Sequence, residues 1–361
     1  MVVFTRLTTR VTQSLVPQGR LMIRCLFAVV VTLAPAVAWA DLLVASYDGT
    51  RVLGYDESTG LLHSSSDAYG GSLTGLLVGA DGGVYSCSIG GNSIVRISAG
   101  ESQVSLFATT WTNGVLGSYG IVSGPGGDLY VTGLGSHNVG RFDGKNGAFV
   151  EMTVSAGSGG LMYPTGLAFG PGGDLFVASS TTDQVLRYDG VTGAFEGVFA
   201  QGGGLDNPEG MRFGPGGDLY VASLWTANVL RYDGTTGAFE GVFAQGGLDR
   251  PRDLVFGPNG DLFVSSSGNN QVVRYDGTTG AFEGIFAQSN TPWGLAFGPE
   301  LAPVPEPSSI ALALTASLAF ALARRRRRPT TNRVRVGGAT GCGKSLRVSL
   351  QVVFWMRVMA K

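Results

Sequence analysis

The sequence is poor in charge, cysteine and histidine, and each shortage closes off a class of function. Only 14% of its 361 residues are charged. Three cysteines, Cys25, Cys87 and Cys342, stand far apart, which leaves neither a disulfide framework nor a cysteine-based metal site. Histidine occurs twice, at His63 and His137; both read as solvated loop residues, and a Ser-His-Asp triad has little to build on. The apolar runs at the two ends of the chain are short, below the ~20 residues that span a bilayer unaided.

Glycine is what the chain has in quantity: 58 residues without a G-X-Y period, beside 44% hydrophobic residues. That balance argues against collagen and against disorder, and for a turn-rich domain long enough to bury a core. The formal net charge of −1 conceals an asymmetry. Residues 41–300 hold 10 Lys+Arg against 25 Asp+Glu, a net of −15, and the other 15 basic residues lie in the termini. Such a domain repels nucleic acid and attracts cations or basic partners.

An internal repeat organises the chain. Pro164-Thr-Gly-Leu-Ala-Phe-Gly-Pro-Gly-Gly-Asp-Leu-Phe-Val-Ala-Ser-Ser returns from Pro208 and Pro251 and is cut short at Pro292-Trp-Gly-Leu-Ala-Phe-Gly-Pro299, the starts lying 44, 43 and 41 residues apart. Diverged copies begin at Leu73 and Ser118. A period of this length, with short alternating runs between Gly-rich turns, marks a β-propeller blade. Residues 41–60 match a unit from its second strand onward, and Pro292–Pro299 supply only a first strand. The two fragments make one blade, so the expected class is all-β: a six-bladed β-propeller of four-stranded blades, closed by joining the N-terminal strands to a C-terminal first strand. Closure removes the sheet edges an open array would expose.

Within a unit, Leu167-Ala-Phe169, Leu175-Phe-Val-Ala178, Gln184–Tyr188 and Ala194–Phe199 read as four strands, with turns at Pro171-Gly-Gly-Asp174 and Asp189-Gly-Val-Thr-Gly193. Each Asp-Gly turn offers one carboxylate, too few for a calcium loop. Both turns fall on one face of the propeller; the opposite face carries the start of each first strand and the loop between the second and third strands. There the units differ. The residue after the leading position is Thr74, Tyr119, Thr165, Glu209, Arg252 or Trp293, and the next is Gly in every unit except Asp253. Trp225 and Asn269-Asn270 are further departures. This ring suits a polar ligand such as a sugar, with Tyr119, Trp225 or Trp293 stacking and Glu209, Arg252 and Asp253 hydrogen-bonding. The plainer alternative is loop drift, with Glu209 and Arg252 in a salt bridge between neighbouring blades.

The units Asn228-Val-Leu-Arg-Tyr-Asp233 and Pro208–Ser223 resemble NHL-type repeats, over about residues 41–300. The resemblance implies a fold and not an activity, since such propellers include scaffolds, lyases and lactone hydrolases. Relatives of the gluconolactonase and regucalcin type hold a divalent metal in the channel, which would put calcium or zinc on Glu209 and Asp253.

The termini read as addresses. Arg20 and Arg24, the apolar Leu26–Val37 and Ala38-Trp39-Ala40 form a signal peptide over residues 1–40, with cleavage before Asp41; an uncleaved anchor is the alternative. Pro305-Glu306-Pro307, the 14 apolar residues Ile310–Ala323 and Arg324–Arg328 resemble a PEP-CTERM sorting signal over 301–328. The Pro-Glu-Pro cannot be helical and suits a processing enzyme's groove, and the Arg run stays cytoplasmic. The resemblance implies export, transient membrane anchoring through 310–323, cutting by an exosortase and delivery to the surface or matrix of a Gram-negative bacterium. A plain tail anchor is the alternative. Residues 329–361 read as a disordered extension; Gly338-Ala-Thr-Gly-Cys-Gly-Lys344-Ser345 fits the phosphate-loop pattern, but only 16 residues follow it, with no acid among them, so no nucleotide site is expected. The expected function is a non-enzymatic module binding an exopolysaccharide or a surface protein, with the metal-assisted lactonase-like hydrolase or lyase as rival.

Overall fold

The computed structural model describes residues 41–298. They form six four-stranded antiparallel sheets. Blade I joins Pro292–Gly298 to Asp41–Ser46, Arg51–Tyr55 and Leu62–Ser65. Blades II to VI follow in sequence, with inner strands Leu73–Val78, Ser118–Ser123, Pro164–Phe169, Pro208–Phe213 and Pro251–Phe256. Closure is as the repeat requires: Leu42 pairs with Phe297, Leu43 with Ala296 and Val44 with Leu295. The chain divides into two units, Met1–Val304 and Pro305–Lys361. The signal peptide, the sorting segment and the phosphate-loop match lie outside the described residues, and no described helix is long and apolar enough to cross a membrane.

Each blade is buried on both faces, which is why its strands alternate large and small apolar residues. In blade IV, Leu175 and Val177 pack with Tyr130, Val139 and Val154 of blade III, while Phe176 and Ala178 pack with Met211, Leu219 and Val221 of blade V. Six such clusters lie among the described residues, one per junction. Each fully buried aliphatic side chain contributes about 1.5–3 kcal/mol. The recurring Arg-Tyr-Asp of the third strand follows from the same packing. Tyr188 and Tyr232 bury their rings and donate their hydroxyls to the carbonyls of Ser158 at 2.8 Å and Gly202 at 2.9 Å, in the loop entering the blade. Arg187 reaches Asp174 at 2.6 Å and Glu196 at 2.7 Å, tying turn to outer strand. The final Asp caps the second turn: Asp189 Oδ1 accepts from the amides of Val191 and Thr192 and the hydroxyl of Thr192. Its carboxyl is held below the ordinary aspartate range by those bonds.

Around the axis the inner strands approach one another backbone to backbone. A Cβ on Gly166 would strike the carbonyl oxygen of Glu209, and one on Gly294 would lie 2.7 Å from the amide nitrogen of Leu76. Glycine recurs here because there is no room for anything else. Gly294→Ala is expected to lower stability by about 1–3 kcal/mol, read by thermal or denaturant unfolding. Gly126→Ala, whose new Cβ meets nothing within 4 Å, should change it by less than about 0.5 kcal/mol.

Candidate functional site

A β-bulge in the inner strand opens the site. In blade V, Pro208 pairs with Ser223 and the register then slips before Met211 pairs with Val221; blades II, III, IV and VI slip at the same place. The bulge holds the two residues after the leading position off the ladder, a common way of aiming a side chain. Small residues at this position serve the ring itself: Thr74 donates to the Tyr119 carbonyl at 2.8 Å and Thr165 to the Pro208 carbonyl at 2.7 Å.

The large ones meet on the axis. Tyr119 of blade III donates to Glu209 Oε2 of blade V at 2.5 Å, reaching past the short Thr165 of blade IV. Arg252 of blade VI donates to Glu209 Oε1 at 2.7 Å, and its guanidinium lies 4.4 Å from the ring centre of Trp293. Trp293 stacks on Tyr47 at 4.1 Å and leans on Tyr119 at 5.3 Å. Glu209 is 2% exposed. Burial pushes its carboxyl from 4.5 up to about 7 against the pull of Arg252 and the Tyr119 hydrogen bond. Burial pulls the Arg252 guanidinium down, but Tyr119 and Glu209 together hold it above its ordinary value.

Asp253 plays a different part. It replaces the ring glycine of blade VI and sends its carboxylate to the next strand, Oδ1 accepting from the amide of Leu254 at 2.9 Å and Oδ2 from that of Leu295 at 3.0 Å. Arg212 approaches Oδ2 at 3.5 Å. Burial raises the Asp253 carboxyl despite these donors. The cavity along the axis, lined by Gly75, Gly120, Gly166, Gly210, Arg212 and Asp253, measures about 30 Å³, enough for a few waters and too little for a sugar.

Of the sequence-derived candidates, the structure gathers Tyr119, Glu209, Arg252 and Trp293 into one plug and sets Asp253 beneath it. Trp225 is elsewhere: 59% exposed, it makes no hydrogen bond or ring contact with the four, and its neighbour is Arg250, 5.7 Å from its ring. Each carboxylate oxygen of Glu209 and Asp253 already accepts from a donor, so a calcium or zinc ion there would share those oxygens with Arg252, Tyr119 or backbone amides. The triads Asp174/Asp189/Glu196 and Asp218/Asp233/Glu240 bring acids together on the turn face, where Arg187 and Arg231 stand between them. Of the histidines, His137 is the loop residue expected and His63 is not. His63 lies in the outer strand Leu62–Ser65 with Nε2 2.8 Å from Asp41 Oδ1. His137 Nδ1 accepts from the amide of Tyr163 at 2.9 Å.

That last contact belongs to a latch the repeat comparison had missed. The residue at the tip of each second-to-third strand loop has positive φ, from 45° at Asn92 to 60° at Asn270. In four of the six, the side chain accepts from the amide that precedes the next inner strand: Asn92 from Gly117 at 2.6 Å, His137 from Tyr163, Asp183 from Asn207 at 2.8 Å and Asn270 from Thr291 at 2.9 Å; Thr50 and Ala227 make no such bond among the described residues. Asn, Asp and His are the side chains that tolerate this backbone and supply an acceptor. Aligning these loops instead of the strands exposes the signal in the sequence, because blade V has Ala227 there.

With the geometry in place, known proteins can be compared. The family model of the PEP-CTERM protein-sorting motif matches residues 303–328. The chain carries a PEP-CTERM sorting motif. No curated protein matches the sequence. Among solved structures, the propeller is similar to a chain of the nidogen/laminin complex (TM-score 0.59, 18% identity, covering 72% of this chain and 98% of that one). It is also similar to a protein assigned as a gluconolactonase (0.54, 18%, 64% and 87%), and to virginiamycin B lyase from Staphylococcus aureus (0.50, 19%, 67% and 83%). At these identities the likeness is one of fold.

The plug has a pH signature. Because the folded Glu209 holds its proton to about 7 and the unfolded one only to 4.5, its contribution to stability is full below 4.5 and is lost as pH rises through about 7. Urea unfolding from pH 5 to 8 should show this decline, and Glu209→Gln should flatten it, leaving the slope in the same direction from Asp253. Arg252→Ala, which strands a buried carboxylate, should cost about 3 kcal/mol at pH 8 and clearly less at pH 5.5.

Proposed function

We propose that this is an exported, surface-sorted propeller that works as a binding module through its variable face. The observation that carries the reading is the plug: the channel mouth, where a propeller enzyme would hold its substrate, is filled by the protein's own Tyr119, Glu209, Arg252 and Trp293. Exposed to a partner on that face are Trp111, Leu116, Met162, Tyr163 and Trp225, beside charged residues such as Asp183, Asp206, Asp249 and Arg250. The sorting motif at 303–328 supports export, processing by an exosortase and release to the cell surface or matrix. Cutting at Ala38-Trp39-Ala40 would start the mature chain at Asp41, the first residue of a strand. The propeller in the nidogen/laminin complex shares the fold with a protein crystallised in an assembly.

The metal-assisted hydrolase, in the manner of the gluconolactonase neighbour, requires Glu209 to hold a cation beside the positive charge of Arg252. Elemental analysis with calcium and zinc titration of the exported protein separates the two readings. No stoichiometric ion, together with retention on immobilised extracellular polymer or surface protein, is the expected result; an ion lost in Glu209→Ala or Asp253→Ala would replace the module with the enzyme. Sorting is tested by replacing Pro305-Glu306-Pro307 with alanines. The intact chain should then accumulate uncut in the membrane fraction, whereas the natural sequence yields a shortened extracellular form, read by intact mass.

A further inference from the structure

Three departures from the repeat coincide at the junction of blades V and VI. Where the other second-to-third loops carry Gly90, Gly135, Thr181, Gly268 or Asp48, blade V carries Trp225. Where four of them carry a latch acceptor, it carries Ala227, still at positive φ, 53°. Across the junction, the amide that the missing acceptor would have taken is that of Arg250, and it has no hydrogen-bond partner among the described residues. The Arg250 guanidinium is unusual in its own right. Seven of the ten cations in residues 41–300 are in ion pairs, as expected in a domain with 25 acids. Arg250 is exposed, lies within 4 Å of no carboxylate among the described residues, and rests on the Trp225 indole at 5.7 Å. Ala227 costs the junction a hydrogen bond and leaves open the spot where Asn270 or His137 stands elsewhere.

We propose that this junction docks an acidic sugar of a polysaccharide. The Trp225 indole takes the face of a pyranose ring, the Arg250 guanidinium takes its carboxylate, and the Arg250 amide donates to a ligand oxygen that completes the latch. An aromatic surface alone would suit a neutral glycan. Although the domain as a whole carries a net charge of −15, an unpaired guanidinium beside a free amide locally favours a single carboxylate with two acceptor oxygens, which a uronate supplies. The site rests on the binding-module reading and deepens it.

The test uses the purified full chain and a fluorescent oligogalacturonate, with neutral oligogalactose as comparison, followed by polarisation. The natural chain should bind the acidic probe and bind the neutral one at least tenfold more weakly. Trp225→Ala and Arg250→Ala, both at exposed positions, should each weaken the acidic probe at least tenfold. Ala227→Asn supplies the missing acceptor from within, so it should raise the melting temperature and lower affinity together, a pairing that mere damage to the fold does not produce. Equal affinity of all three variants and the natural chain would overturn the site. Binding of neutral glycan or of a surface protein without the acidic probe would overturn it and leave the binding module standing; no binding to any of them would remove both.

Discussion

The structure depends on how closely six backbones can approach one axis. At the second position of the bulge, Gly75, Gly120, Gly166, Gly210 and Gly294 each lie against the main chain of the next inner strand. With side chains there, the inner ring would have to widen and the junction clusters would lose contact. The tight ring also explains the bulge. Once the second bulged residue has no room for a side chain, the first is the one left facing the axis, and six such positions, one per blade, close the channel mouth. Asp253 is the exception that keeps to the rule: it fits in a glycine's place by sending its carboxylate along the ring to bind two amides.

Two faces of different character follow. On the turn face, the same Asp, Arg and Glu repeat from blade to blade and satisfy one another, as in Asp174, Arg187 and Glu196. Blades III to VI share this arrangement, while blade I has Gly54 in the place of the Arg and, among the described residues, Arg96 of blade II pairs with Asp81 alone. On the variable face the blades are joined by latches with positive-φ residues, a backbone state that costs energy for any residue other than glycine. At Ala227 of blade V, as at Thr50 of blade I, that cost remains without the side-chain hydrogen bond that offsets it in the other four blades.

The fold was largely legible in the sequence because strand starts are fixed by local chemistry. Leu73, Ser118, Pro164, Pro208 and Pro251 open their strands as the repeat required, and the closing blade followed from two incomplete units. Which residues ring the channel was legible for the same reason. What they do to one another was not. The contact between Tyr119 and Glu209 crosses a whole blade and depends on Thr165 being short. The ion pair of Arg252 with Glu209 was one of two readings the sequence allowed. His63 was taken for a loop residue because the outer strand Leu62–Ser65 has little alternation to betray it, and its approach to Asp41 spans three strands of one blade.

Closure by the two ends of the chain has a mechanical side. The inner strand that ends at Gly298 is the last part of the propeller before the tail begins, and its register with Asp41–Ser46 runs antiparallel over Leu42, Leu43 and Val44. A pull applied to the chain beyond Gly298 acts along the axis of that strand, so the rungs of the ladder bear the load together in shear. An outer strand pulled from its edge would unzip one rung at a time. A chain sorted through its C-terminal motif is thereby loaded through a ladder in shear.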